Sequence, residues 1–516
     1  MTKKMFYRAF TLILTVCFLA SVSACGPKKV ADTFDVIELA YWTSGLGEEY
    51  ITKTIENFEK KYPQYKVAYE PSPNGGAITN TFGYGANYDT VDLYMYAING
   101  IEPEDLIKNA EPLDDLVNGK YENESITLGE KILPEFKSAL MSDDGHYHSL
   151  TYGGGWTGIA YNRKIIDGVQ YKIPNTTDEL ARLALDISDD FGSKGIAPFI
   201  HYQNGGYWMT IASSWQIQYD GPDYYFNNFL PLKDSAGVSP SKSVLIAEDG
   251  RKAAMDALEK LVTPGYVYNG SNALIFTDAQ TLFLNDKAAM MVNGSWLINE
   301  MKQHVNENYD FSMMPTPVIS SIKNKCTTIE NDAELSALIT AIDAAYSPEE
   351  VPLTGAGYSV NEADRARIFE ARYIMHSNFD QHGMVIPKYA SAKEAAKLFV
   401  QYFYSDENLK MYHDVTHMTL PIRYSDGSSI DMNGWLAWEK QQQYFTEKCK
   451  TFFDSSSQTS KIFTAGGCSF YAGVDFISSF CNQNKNARQS SDQAWAQMVS
   501  IFNGNWDLYL NNAQLK

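Results

Sequence analysis

The chain has 516 residues, 44% hydrophobic and 20% charged, an ordinary globular composition that excludes disordered, collagen-like and low-complexity classes. Its formal charge is −20, from 62 acids against 42 bases, so the basic footprint of a nucleic-acid binder is missing and anionic substrates are disfavoured. Aromatic residues make up 13%, and the excess lies in Tyr and Trp, whose rings offer a flat apolar face and a polar tip.

The first predicted element is an address. Lys3, Lys4 and Arg8 precede an apolar run over residues 9–22, broken only by Thr11, Thr15 and Ser21. That run is shorter than the about 20 residues a spanning helix needs, so residues 1–24 read as a secretory signal peptide. It ends in Val22-Ser23-Ala24-Cys25-Gly26, which resembles the lipobox of bacterial lipoproteins. The resemblance implies cleavage before Cys25, a lipid on that cysteine, and a short polar tether over residues 25–35.

Strands and amphipathic helices then alternate. Residues 36–42 read as a strand and 50–62 as a helix, with Ile51, Thr54, Ile55, Phe58 and Tyr62 on one face. Strands are expected at 65–70, 91–96, 158–162, 197–200 and 288–292, and helices at 394–404 and 492–502. Pro63, Pro174, Pro264, Pro315, Pro317 and Pro421 punctuate the elements. Residues 321–350 are acid-rich and helical in part, and read as an insertion. No internal repeat is visible. The alternation predicts an α/β protein with mostly parallel sheet.

Few motifs suit chemistry. Gly153-Gly154-Gly155-Trp156-Thr157-Gly158 fits the dinucleotide fingerprint in letters, but a strand follows where a helix is required, so open backbone beside a cleft is the better reading. His413 and His417 stand four apart, yet Asp414 occupies the place of the glutamate that a zinc protease uses as base. His146 and His148 flank Tyr147 in a polar turn. The acid pairs Asp89 and Asp92, Asp143 and Asp144, and Asp189 and Asp190 sit in turn contexts, where carboxylates are ordinarily solvated rather than catalytic. Beyond Cys17 and Cys25 the cysteines are Cys326, Cys449, Cys468 and Cys481, with no CxxC pair; a disulfide within the last three stays open. Neither a metal nor a cofactor is expected, and no catalytic set emerges.

Several blocks together resemble the extracellular solute-binding lipoproteins of carbohydrate ABC importers, the maltose-binding-protein-like group. They are Ile37 to Trp42 with Phe58-Glu59-Lys60-Lys61-Tyr62-Pro63, then Asp92-Leu93-Tyr94-Met95-Tyr96, then Gly158 to Lys164. The most specific is Phe283-Leu284-Asn285-Asp286-Lys287-Ala288-Ala289-Met290-Met291-Val292-Asn293-Gly294-Ser295-Trp296, followed by Met314-Pro315-Thr316-Pro317. Ile386-Pro387, Ser391 to Val400 and Tyr404-Ser405-Asp406-Glu407 complete the series. The resemblance implies a type II periplasmic-binding-protein-like fold, two α/β lobes joined by a hinge with a ligand cleft between them. The first lobe would hold 36–148 with about 355–410, the second 149–320 with about 411–516, and 321–354 would be an insertion. The chain would cross near His148, return between Tyr358 and Pro387, and cross again near Met411. A carbohydrate ligand, ABC transporter permease subunits, a monomeric state and a membrane anchor at Cys25 on the outer cell surface are implied, with no nucleic acid as partner. The competing readings are a receptor for a peptide or polyol, and an exported glycoside hydrolase.

Ligands of open α/β sheets lie beyond the carboxyl ends of the strands. That rule nominates Trp42, Thr43 and Ser44 after the first strand, Tyr96 and Asn99 after the Asp92 strand, Trp156 before the Tyr161 strand, and Trp296 after the Met290 strand. Asn204, Tyr207 and Trp208 follow the Phe199 strand, where the resemblance implies a sugar-contacting loop. It also implies a cleft aromatic from the segment carrying Tyr471 and Asp475. A pyranose packs its C–H face on such rings, and Asn, Asp and Thr match its hydroxyls.

Overall fold

The first strand shows how the sequence builds a two-faced sheet. In β1 (Asp35–Trp42), Ile37, Leu39 and Tyr41 enter the main core, while Ala40 joins a smaller core on the opposite face. Helix α1 (Glu49–Lys61) covers the main face with Tyr50, Ile51, Thr54 and Phe58. Strands β2 (Tyr65–Ser72), β3 (Leu93–Ala97) and β4 (Leu150–Thr151) follow. Next come β5 (Trp156–Asn162), β6 (Ala197–Ile200), α2 (Trp208–Asp220), β7 (Ala288–Gly294) and β8 (Phe311–Met314). Helix α3 (Asp332–Asp343) leads to β9 (Ile374–Ser377) and β10 (His382–Val385). The chain ends through α4 (Lys393–Phe403), α5 (Asp406–Thr416), α6 (Ala437–Lys448), β11 (Lys450–Phe452) and α7 (Ser491–Asn512). This computed structural model describes residues 35–43, 45–72, 81–98, 101–305, 309–448, 450–452 and 459–516. The signal segment, Cys25, Ser44, Asn99 and Cys449 lie outside them.

Two sheets result, one per lobe. The first has the order β2-β1-β3-β10-β4, the second β11-β9-β5-β7-β6, with β8 also on β5. The expected mostly parallel sheet is corrected to a mixed one. Strand β10 runs antiparallel to β3 and β4, and β5 runs antiparallel to β7, β8 and β9. Both strands begin just after the chain has passed from one lobe to the other, so each enters its sheet from the cleft side, against its neighbours.

The lobe boundaries also shift. Residues 355–377 belong to the second lobe, because β9 pairs with β5 and the helix Glu362–Arg372 rests on α2 and α3. The return crossing is therefore the short stretch 378–381. Helix α5 packs on α1, which extends the first lobe to Thr416. Within 321–354, α3 buries Leu335, Leu338, Ile339 and Ile342, and Ser336 and Thr340 accept hydrogen bonds from Asn175 Nδ2. This segment is built into the second lobe rather than appended to it.

One buried carboxylate ties the first lobe together. Asp92 Oδ2 accepts from Glu38 N at 3.0 Å, and Oδ1 accepts from Ser391 N at 2.7 Å and Ala392 N at 2.9 Å. Ala392 is the residue that caps α4, so Asp92 satisfies orphan donors at a helix start from a distant strand. Among the described residues no helix is long and apolar enough to cross a membrane, and no group of His, Cys, Asp and Glu could hold a metal. Cys326, Cys468 and Cys481 are free thiols, so no disulfide joins Cys468 to Cys481.

Candidate ligand-binding cleft

The strand directions bring one set of ends to the gap between lobes. In the first sheet, Ala97 at the end of β3 pairs with His382 at the start of β10. In the second, Gly294 at the end of β7 pairs with Thr157, and Ser377 at the end of β9 pairs with Trp156. A cavity of about 320 Å³ lies there, near the lower end of the range for small-molecule sites. The first lobe and its crossing contribute Trp42, Leu46, Ala97 and His382; the second contributes Thr157, Tyr207, Thr210, Phe276, Trp296, Glu300 and His376, with Asn378 at the crossing.

Two tryptophans face this cavity from opposite lobes. Trp42 stacks on His382 with ring centroids 5.0 Å apart and planes 19° from parallel. Trp296 follows β7 directly and folds back over its own strand end. A Cβ at Gly294 would lie 2.1 Å from the Trp296 ring, so only glycine permits that fold. Gly45 serves the same ring from the other lobe: a Cβ there would sit 3.2 Å from Trp296 Cδ1. Tyr207 meets Trp296 edge to face at 6.0 Å, and Phe276 meets Tyr207 at 6.1 Å.

The polar groups between the rings are fixed by their neighbours. Asn378 Oδ1 accepts from Gly155 N at 2.8 Å, which leaves its Nδ2 to donate to His382 Nε2 at 3.3 Å. Burial pushes the His382 pKa down to about 4, so the ring is neutral near pH 7. With Nε2 accepting, Nδ1 carries the proton, and it has no protein partner. Thr157 Oγ1 is likewise buried without a partner. The cavity therefore offers flat apolar faces and neutral hydrogen-bonding groups, with no Lys or Arg among the lining residues described.

A family model for the bacterial extracellular solute-binding proteins matches residues 53–429. The chain belongs to that family. This solute-binding protein is 25% identical over 301 residues to the maltotriose-binding protein of Pyrococcus abyssi, covering 57% of this chain and 55% of that one. It is 22% identical over 300 residues to the multiple sugar-binding protein of Streptococcus mutans, covering 56% and 66%. It thus spans between about half and two thirds of these relatives' length. Its fold matches that of RafE in complex with raffinose, at a TM-score of 0.54 and 16% identity over 90% of this chain and 99% of that one. It also matches a binding protein of an ABC transporter from Bifidobacterium animalis in complex with mannobiose, at 0.55 and 15% over 92% and 96%. The fold is the two-lobed, type II periplasmic-binding one.

Of the residues nominated from sequence, the solute-binding protein brings Trp42, Tyr207 and Trp296 to the cavity. Asn204, Tyr471 and Asp475 line a second cavity of about 620 Å³ within the second lobe, and Thr210 lines both. Thr43 instead turns onto β2, its N–H bonding Ser72 O at 2.9 Å. Three nominations are corrected. Trp156 and Trp208 have no exposed surface. Trp156 packs among Phe136, Phe379 and Phe445 at the hinge, and Trp208 packs on Phe199 from the first turn of α2. Tyr96 alternates with Met95 along β3, so it joins Tyr94 in the smaller core. Sequence reasoning missed Phe276, Glu300, His376, Asn378 and His382. The two short strands that carry His376 and His382 lack a usable periodicity, and the Ile386-Pro387 block was the nearest available signal.

Proposed function

We propose that this protein is a lipid-anchored extracellular receptor that binds a carbohydrate between its lobes and delivers it to an ABC transporter permease, without catalysing any reaction. The observation that carries the reading is the pair of tryptophans, Trp42 and Trp296, held by different lobes against one cavity beside Thr157, Asn378 and His382. A pyranose offers two apolar faces and an equator of hydroxyls, so it matches a slot with rings and neutral donors and acceptors. Closure of the lobes on the ring would complete the site, a hinge transition of a known kind. The second cavity, joined at Thr210, gives room for a further sugar unit, which favours an oligosaccharide. The relatives named above are sugar-binding proteins by name, which supports the same class. Anchoring rests on the Val22-Ser23-Ala24-Cys25 site; Cys25→Ser should release the protein from membranes or leave the precursor uncut.

Calorimetric titration of the purified protein with mono- and oligosaccharides tests the reading. Saturable binding without turnover is expected. Steady release of reducing sugar, or binding of peptides or polyols in preference to every sugar, would overturn it.

A further inference from the structure

Glu300 is the one carboxylate among the described residues that line the interlobe cavity, and no Lys or Arg lines it. It closes the short helix Leu297–Glu300, which begins at Trp296. Aromatic rings crowd this corner: Trp296 against Tyr207, Tyr207 against Phe276, and Phe276 against Tyr202 at 5.1 Å. Glu300 raises the pKa of both Tyr202 and Tyr207, so its charge is felt across the cluster. Its protein partner is Gln280 Nε2 at 2.7 Å. Enclosure raises the Glu300 pKa above the ordinary carboxylate range, and no cation among the described residues opposes that shift. Gln280 is fully buried, and with its amide N–H turned to Glu300 its Oε1 has no donor.

This corner is short of positive charge and of donors. Ring faces carry a negative quadrupole, so they act on a ligand in the same direction as the carboxylate. A sugar hydroxyl would supply hydrogen bonds but leave the charge unopposed. An ammonium supplies both, and its bonds to a carboxylate are roughly twice as strong as neutral ones. We propose that the cleft selects a carbohydrate bearing a protonated amino group, with the ammonium seated against Glu300 beside Trp296, Tyr207 and Phe276. The proposal rests on the carbohydrate reading and narrows it to basic amino sugars.

Calorimetric titration of the whole protein at pH 7 with three ligand sets decides it: glucosamine dimer and trimer, the same oligomers N-acetylated, and cellobiose with cellotriose. The amino oligomers should bind on the order of tenfold tighter than both uncharged sets. Glu300→Gln should erase that ratio, and Glu300→Asp, which keeps the charge, should retain part of it; melting curves confirm that each variant is folded. Equal affinity for charged and uncharged oligomers would remove the proposal and leave the carbohydrate reading standing. A folded Glu300→Gln variant that keeps the ratio would also remove it. Failure of every sugar to bind would remove both.

Discussion

The cleft and the layer of core directly behind it are both built from tryptophan, and they use it in opposite ways. Trp42 and Trp296 stand at the carboxyl ends of β1 and β7, half-buried, each with surface turned to the cavity. Trp156 opens β5 and Trp208 opens α2, and both are wholly enclosed. All four lie within a residue or two of an element boundary, so closeness to the cleft in sequence does not decide the outcome. The side of the boundary does. A residue past a strand's last paired position is released into the gap, whereas one that already pairs or coils has its direction set by the element. Trp156 shows this: Ser377 is its register partner and Ser295 N bonds its carbonyl at 2.7 Å, so its ring is committed to the hinge core.

The largest expected effect breaks the core side of this contrast. Trp156→Ala should lower unfolding stability by about 3–5 kcal/mol, as for other buried tryptophans. A melting curve reads it, and sugar affinity of the remaining folded fraction should change less than its stability. Next comes Trp296→Ala, which removes a cleft anchor. A loss of about 2 kcal/mol, on the order of 30-fold in affinity, is expected by calorimetry, with a much smaller fall in the melting temperature of the ligand-free protein. The reverse pattern would place Trp296 with Trp156.

His382 belongs to both regions, since it lines the cavity and backs Trp42. Burial holds its folded pKa near 4, and that of His413 near 3, against 6.5 for a free histidine. Between pH 6.5 and 4 the unfolded chain holds the extra protons, so stability should fall as pH drops through that window, by up to about 1.4 kcal/mol per pH unit for each histidine. His382→Gln should flatten the slope of melting temperature against pH; an unchanged slope would assign the acid sensitivity elsewhere. The smallest effect is Thr157→Val, which keeps shape and removes the unpartnered hydroxyl. Sugar affinity should fall by about 1 kcal/mol, roughly fivefold, while stability holds or rises slightly.

Legibility from sequence followed element length and periodicity. The first strand, the helix after it, the 197–200 strand and the 394–404 helix stand within one or two residues of where alternation and amphipathicity put them. Strands β9 and β10 were invisible because each is four residues long and contains a histidine at a buried position. Missing them misplaced the return crossing, and with it His376, Asn378 and His382. Phe276 and Glu300 escaped for another reason: they approach the cleft from helices, which the rule about strand ends does not reach. Tyr96 was nominated by that rule and lost to period-two alternation, which turned it to the far face.

Asp92 carries a consequence for how the molecule comes into being. Its carboxylate receives the backbone N–H of Ser391, 299 positions later in the chain. At a synthesis rate of about 5–20 residues per second, roughly 15–60 s separate the emergence of the two groups. The first lobe cannot finish its sheet or seat α4 in that interval, although most of its residues are already present. The N-terminal segment therefore spends the early life of the chain as an incomplete sheet with an open edge, which is a natural substrate for a holding chaperone and for passage through a narrow channel before folding.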